Sequence, residues 1–85
     1  MKKTTSFTKH ALEQMKERGA TRDEVEFAIL KGKKERAKGN RIMHRLTLPF
    51  NKTWTDKHYT WKQVVPITAE EENEIVVVTV LTFYF

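Results

Sequence analysis

Residues 8–32 read TKHALEQMKERGATRDEVEFAILKG, two short helical patterns broken by a glycine. Thr8 is placed to cap the first by accepting a bond from an orphan backbone amide, and Ala11, Leu12 and Met15 then fall on one stripe at helical spacing. Gly19 stops it, because glycine takes the left-handed cap conformation without steric cost. Thr21 opens the second helix with Glu24 three residues on, a capping box in which each side chain bonds the other's backbone amide. Val25, Ala28 and Ile29 form the second apolar stripe, and Gly32 closes the pattern. Residues 8–32 are therefore predicted to be a helical hairpin.

Beyond Gly32 the spacing changes from helical to alternating. Strands are predicted near 33–38 and 41–48 around a two-residue turn at Gly39-Asn40. The first, KKERAK, is almost wholly charged and suits an exposed sheet edge, while Ile42, His44, Leu46 and Leu48 share one face of the second. Pro49 to Lys57 reads as a loop, since Pro49 cannot donate to a ladder and Asn51, Thr53, Thr55 and Asp56 favour turns. A third strand is expected near 58–67, then an acidic connection at 69–74. The run IVVVTVLTFYF at 75–85 is apolar on both faces for most of its length and is expected to be the spine of the sheet. Two helices followed by four strands with short connections give an α+β fold, a helical hairpin (8–32) on a mainly antiparallel four-stranded sheet (33–85).

The length of 85 residues allows one domain with a modest core, 1–85. No apolar run has the ~20 residues of a membrane span, and Met1-Lys2-Lys3 is followed by polar residues where a signal peptide places its apolar segment. A soluble, cytoplasmic chain is expected. Cysteine is absent, which excludes disulfides, thiolate metal sites and a thiol nucleophile. With 16 Lys plus Arg against 11 Asp plus Glu the chain carries +5, and the bases concentrate in 31–45 and 52–62. Such a surface attracts polyanions without reading sequence, although many small domains are this basic simply to stay dispersed.

The residues able to carry chemistry are few. His10, in a first helical turn, is disfavoured as a cation by the helix dipole and so suits a neutral base. Arg18 borders the apolar stripe and can offer its guanidinium at the seam between hairpin and sheet, or bond carbonyls at the helix end. His44 lies in an apolar register, where a hydrogen-bonded core histidine is expected. Trp54, Tyr59 and Trp61 alternate with Lys52, Lys57 and Lys62, an arrangement of rings for bases beside cations for phosphates, with His58 in the same segment. Tyr59 and Trp61 share the register of Val65 and Ile67, so at least one is expected in the core and Trp54 is expected to be the exposed ring. No metal is expected, because three histidines lack ligand spacing, and no cofactor motif is present.

The set Thr8-x-His10-Ala11-x-x-x-Met15-x-x-Arg18-Gly19-x-Thr21-x-x-Glu24-Val25-x-x-Ala28-Ile29-x-x-Gly32, with Lys62-Gln63-Val64-Val65-Pro66-Ile67 and Ile75-Val76-Val77-Val78-Thr79-Val80, resembles a family of small prokaryotic proteins described as a domain of unknown function. That family is similar to the ribonuclease toxins of the RelE, barnase and colicin-like fold. The resemblance implies a RelE-like fold, RNA cleavage without metal, a partner antitoxin, and His10, Arg18, Lys62 and Thr79 as the polar set. Ala20 stands where the family commonly has Ile, and Leu81 where it commonly has Tyr, leaving Tyr84 as a substitute for that phenol. The alternative reading is a non-catalytic RNA- or protein-binding module of the same fold.

Overall fold

The computed structural model describes residues 3–85. The elements run β1 (Thr4–Phe7), α1 (Lys9–Arg18), α2 (Arg22–Lys31), β2 (Lys33–Arg36), β3 (Ile42–Trp54), β4 (Lys57–Glu70) and β5 (Glu74–Tyr84). The helical hairpin forms by the caps its sequence provides. Thr8 accepts from the Ala11 amide, Gly19 takes φ 77°, and both bonds of the Thr21/Glu24 capping box are present. Gly32 differs from Gly19: its φ is −69°, ordinary for any residue, and a Cβ there would stand 2.5 Å from the Ala28 carbonyl oxygen. Close approach of backbones, not left-handed geometry, requires that glycine.

The sheet corrects the four-stranded expectation: it has five strands in the order β1-β5-β4-β3-β2, mixed because β1 runs parallel to β5. The short strand TTSF at Thr4–Phe7 was invisible as a strand because four residues before a helix cap show no period. It also makes β4, not β5, the central strand. β1 pairs only with Glu74–Val77, and α1 then takes over the edge of β5. Thr8 donates its amide to the Val77 carbonyl (3.0 Å), and the Val80 amide donates to the Gln14 side-chain oxygen (2.9 Å). A helix thus satisfies the backbone of a strand edge that would otherwise template aggregation.

A second correction concerns 49–57. Ladder pairing continues past Pro49 to Trp54, and the reversal is confined to Thr55-Asp56, both at positive φ. Pro49 is tolerated because β2 ends its pairing at Arg45, so this part of β3 is an edge needing no donor there. The register shifts between Pro49 and Lys52, where Asn51 takes φ 47°. At the other end, Ala37 bonds Arg41 across three residues, so the β2–β3 turn is one residue longer than the two-residue reading, with Gly39 and Asn40 both left-handed.

Both helices cover one face. Ala11, Met15, Ala20 and Val25 pack on Val64, Val77 and Val80, with Phe7 and Ile29 at the margin. Strand alternation puts Leu46, Val64 and Thr82 on that face and Val65, Ile67 and Leu81 on the other. His44 is 4% exposed under the helices as expected, its Nε2 3.0 Å from the Thr68 hydroxyl. Burial, with Lys34 adding to it, holds its pKa below the ordinary histidine range. Unfolding therefore lets this imidazole take up a proton more readily, so stability falls as pH drops below the unfolded value near ~6.5 and levels off below the folded one. Denaturant titrations between pH 7 and pH 5 should show this slope, and His44→Leu should flatten it.

Candidate functional site

The corner of the helical hairpin is pinned by one buried charge. Lys62, 4% exposed, donates from Nζ to the Gly19 carbonyl (2.6 Å) and to Glu24 Oε1 (2.7 Å). Glu24 Oε1 also accepts the Thr21 amide (2.9 Å), so the residue that caps α2 is also the counter-ion of the central strand. The Nζ lies 5.7 Å from the Phe50 ring centroid and 5.8 Å from that of Tyr84. Tyr84 in turn donates its hydroxyl to the Arg18 carbonyl (2.5 Å), and burial with the Glu24 charge pushes its pKa up, keeping it a neutral donor.

Around Tyr84 the rings of Phe50 and Trp54 each lie at 5.1 Å and that of Tyr59 at 5.7 Å. Trp54 is stacked there and meets Gly19, whose absent Cβ would stand 2.8 Å from the indole. It is a packing residue, not the exposed ring expected of it. Gly19→Ala should cost about 2 kcal/mol, since it combines positive φ with displacement of this indole. Urea denaturation measures it.

The four residues implied by the resemblance do not converge on one site. Arg18 and Lys62 both lie at the hairpin corner, Arg18 exposed and Lys62 bonded to the Gly19 carbonyl and Glu24. Thr79 pairs with Ile67 on the face away from the helices. It lies between Val78, whose carbonyl accepts from the Thr8 hydroxyl (3.4 Å), and Val80, bonded to Gln14. It is therefore level with the first turns of α1. His10 is exposed in that first turn and shares a helical stripe with Gln14 and Arg18 at i, i+4 and i+8. His10 and Arg18 are separated by about 12 Å along the helix axis. Thr79 thus lies on the uncovered face, His10 is exposed on α1, and Lys62 lies beneath the helices.

An uncovered sheet face follows from a hairpin lying on one side, but its exposed aromatic rings were not anticipated. Trp61 and Phe85 exchange backbone bonds and share one row of it, and Phe83, paired with Gln63, occupies the next. Trp61 is 43% and Phe83 45% exposed. Arg45 crosses the face, its Nε on Glu35 Oε2 and its Nη1 on Gln63 Oε1, both at 2.8 Å, while Gln63 donates to Thr47 (3.0 Å). The Arg45 guanidinium holds the Glu35 carboxyl below its ordinary pKa. The aromatic and polar residues of this face were legible as alternation, but which face the helices cover was not. Of the other candidates, Lys52, Lys57 and His58 are exposed on the β3–β4 hairpin, with Lys57 Nζ 5.5 Å from the Tyr59 ring and Lys52 Nζ 5.9 Å from that of Phe50.

No cluster of metal-binding side chains occurs among the described residues, and no helix there is long and apolar enough to cross a membrane. The architecture is a two-layer α+β domain with an aromatic sheet face open on one side. Residues 7–82 match the family model described as "Domain of unknown function (DUF4258)", and the chain belongs to that family. No match was found among curated proteins or among solved structures.

Proposed function

We propose that this domain is a RelE-like RNA-binding module that receives single-stranded RNA on the uncovered face of its sheet. The observation that carries the reading is the exposed pair Trp61 and Phe83 on a helix-free sheet face in a chain of charge +5. Rings standing on a β-sheet stack unpaired bases, and Gln63, Thr47 and Arg45 beside them offer donors and acceptors to base edges. The cations of the β2–β3 and β3–β4 hairpins supply the attraction for phosphates.

Cleavage is a second reading, favoured by the exposed His10 in the first turn of α1, two residues after Thr8, whose hydroxyl donates to the Val78 carbonyl next to Thr79. A neutral imidazole there would take the proton of a ribose 2′-hydroxyl as its oxygen attacks the adjacent phosphorus. The P–O5′ bond breaks and the departing 5′-oxygen takes a proton from water, leaving a 2′,3′-cyclic phosphate and a 5′-hydroxyl. Arg18, about 12 Å further along the helix axis, would hold a neighbouring phosphate of the same strand. An antitoxin protein covering this face would then block RNA entry.

Incubating the chain with mixed RNA in chelator separates the readings. Binding that weakens with salt and no cleavage is the expected result of the module. Cleavage lost in His10→Ala establishes the ribonuclease instead, and absence of binding at low salt contradicts both.

A further inference from the structure

At the opposite end of β3 from Trp54, the β2–β3 hairpin folds into a cleft of about 290 Å³ lined by Lys34, Glu35, Arg36, Asn40, Arg41 and Ile42. We propose that this cleft is a phosphate-binding site for the backbone of single-stranded RNA, a proposal that rests on the RNA-binding reading above. The charges in it are unbalanced. The ion pairs among the described residues are Lys3–Glu70, Arg45–Glu35 and Lys62–Glu24, so Lys34, Arg36 and Arg41 are cations without an acidic partner. Glu35, the one acid of the lining, is already neutralised by Arg45.

The backbone explains the convergence. In register, Lys34 lies opposite His44 and Arg36 opposite Ile42, so both fall on the helix side of this edge strand, whereas Glu35 opposite Met43 and Arg45 opposite Lys33 fall on the other. The left-handed pair Gly39-Asn40 then reverses the chain and returns Asn40 and Arg41 to the cleft. Protection of a sheet edge needs only charge, which one or two lysines supply. Three unpaired cations and an amide around one concavity exceed that need and supply donors for phosphate oxygens. The turn between β4 and β5 at the same end carries Glu70, Glu71, Glu72 and Glu74. Its repulsion drives a polyanion away from that turn, and because Lys34 and Arg36 lie on the helix side of an edge strand, an RNA strand held there passes over the β2 edge to reach the uncovered face.

The test compares Lys34→Gln/Arg36→Gln/Arg41→Gln with a control that removes the same charge from the helices, Lys9→Gln/Lys16→Gln/Lys31→Gln. All six residues are exposed, and thermal midpoints within about 4 °C of wild type verify folding. Affinity for a labelled oligouridine is measured by anisotropy over a salt series. The cleft variant should lose about 2 from the slope of log K against log salt, ~0.7 for each phosphate contact removed, and at least about tenfold in affinity near 0.1 M salt. The control should keep most of the slope. Equal losses in the two variants would overturn the cleft and leave the RNA reading standing. No oligouridine binding by wild type, with calorimetric binding of inorganic polyphosphate lost in the cleft variant alone, would overturn the RNA reading and keep a phosphate site. Binding of neither probe would overturn both.

Discussion

Glu24→Ala is expected to destabilise the domain by about 3 kcal/mol, read from urea denaturation at neutral pH. The loss has two parts. The capping-box bond to the Thr21 amide disappears, and the Lys62 ammonium is left under Phe50 and Tyr84 without a counter-ion. The Gly19 carbonyl still accepts from Nζ, which keeps the cost near the lower end for a broken buried pair. Lys62→Met should cost less, about 1–2 kcal/mol, because it retains the apolar stem and leaves Glu24, with a quarter of its side chain exposed, able to reach water. The double variant Glu24→Gln/Lys62→Met should be more stable than Glu24→Ala. A larger loss in Lys62→Met than in Glu24→Ala would contradict this account of the corner. The same series bears on function: once corrected for stability, Lys62→Met should leave the salt dependence of RNA binding unchanged, because its charge is already spent on Glu24.

The largest effect on binding is expected from Trp61→Ala/Phe83→Ala. Each exposed ring that stacks a base contributes about 1–3 kcal/mol, so the pair should weaken single-stranded RNA binding by roughly 30-fold or more while folding stability changes little. The salt slope should be preserved, because rings carry no charge. Loss of slope with retained affinity would assign the RNA to the cationic hairpins alone.

Much of the fold was legible because local signals agreed. Thr8, Gly19 and the Thr21/Glu24 box set the helical hairpin, and its boundaries follow from them. The charged edge strand and the buried His44 were equally readable from alternation. The misses have physical causes. The strand Thr4–Phe7 acquires its partner from a segment about 70 residues away, so nothing local marks it. Pro49 reads as a breaker, yet an edge position makes its missing donor harmless. The site was less legible still. The Lys62 side chain alternates with apolar residues in sequence, and only tertiary packing reveals that Glu24 and the Gly19 carbonyl receive it. The exchange of roles between the two tryptophans has the same origin. Trp54 is drawn in by Tyr84 and the missing side chain of Gly19, while Trp61 stands on the face the helices do not reach.

The central claim, that RNA lies on this uncovered face, is tested most directly by the emission of Trp61. In a Trp54→Phe background Trp61 is the sole tryptophan, and titration with oligouridine should quench it saturably, along the same binding curve as the anisotropy of labelled RNA. Saturable binding by anisotropy with Trp61 emission unchanged would contradict the account.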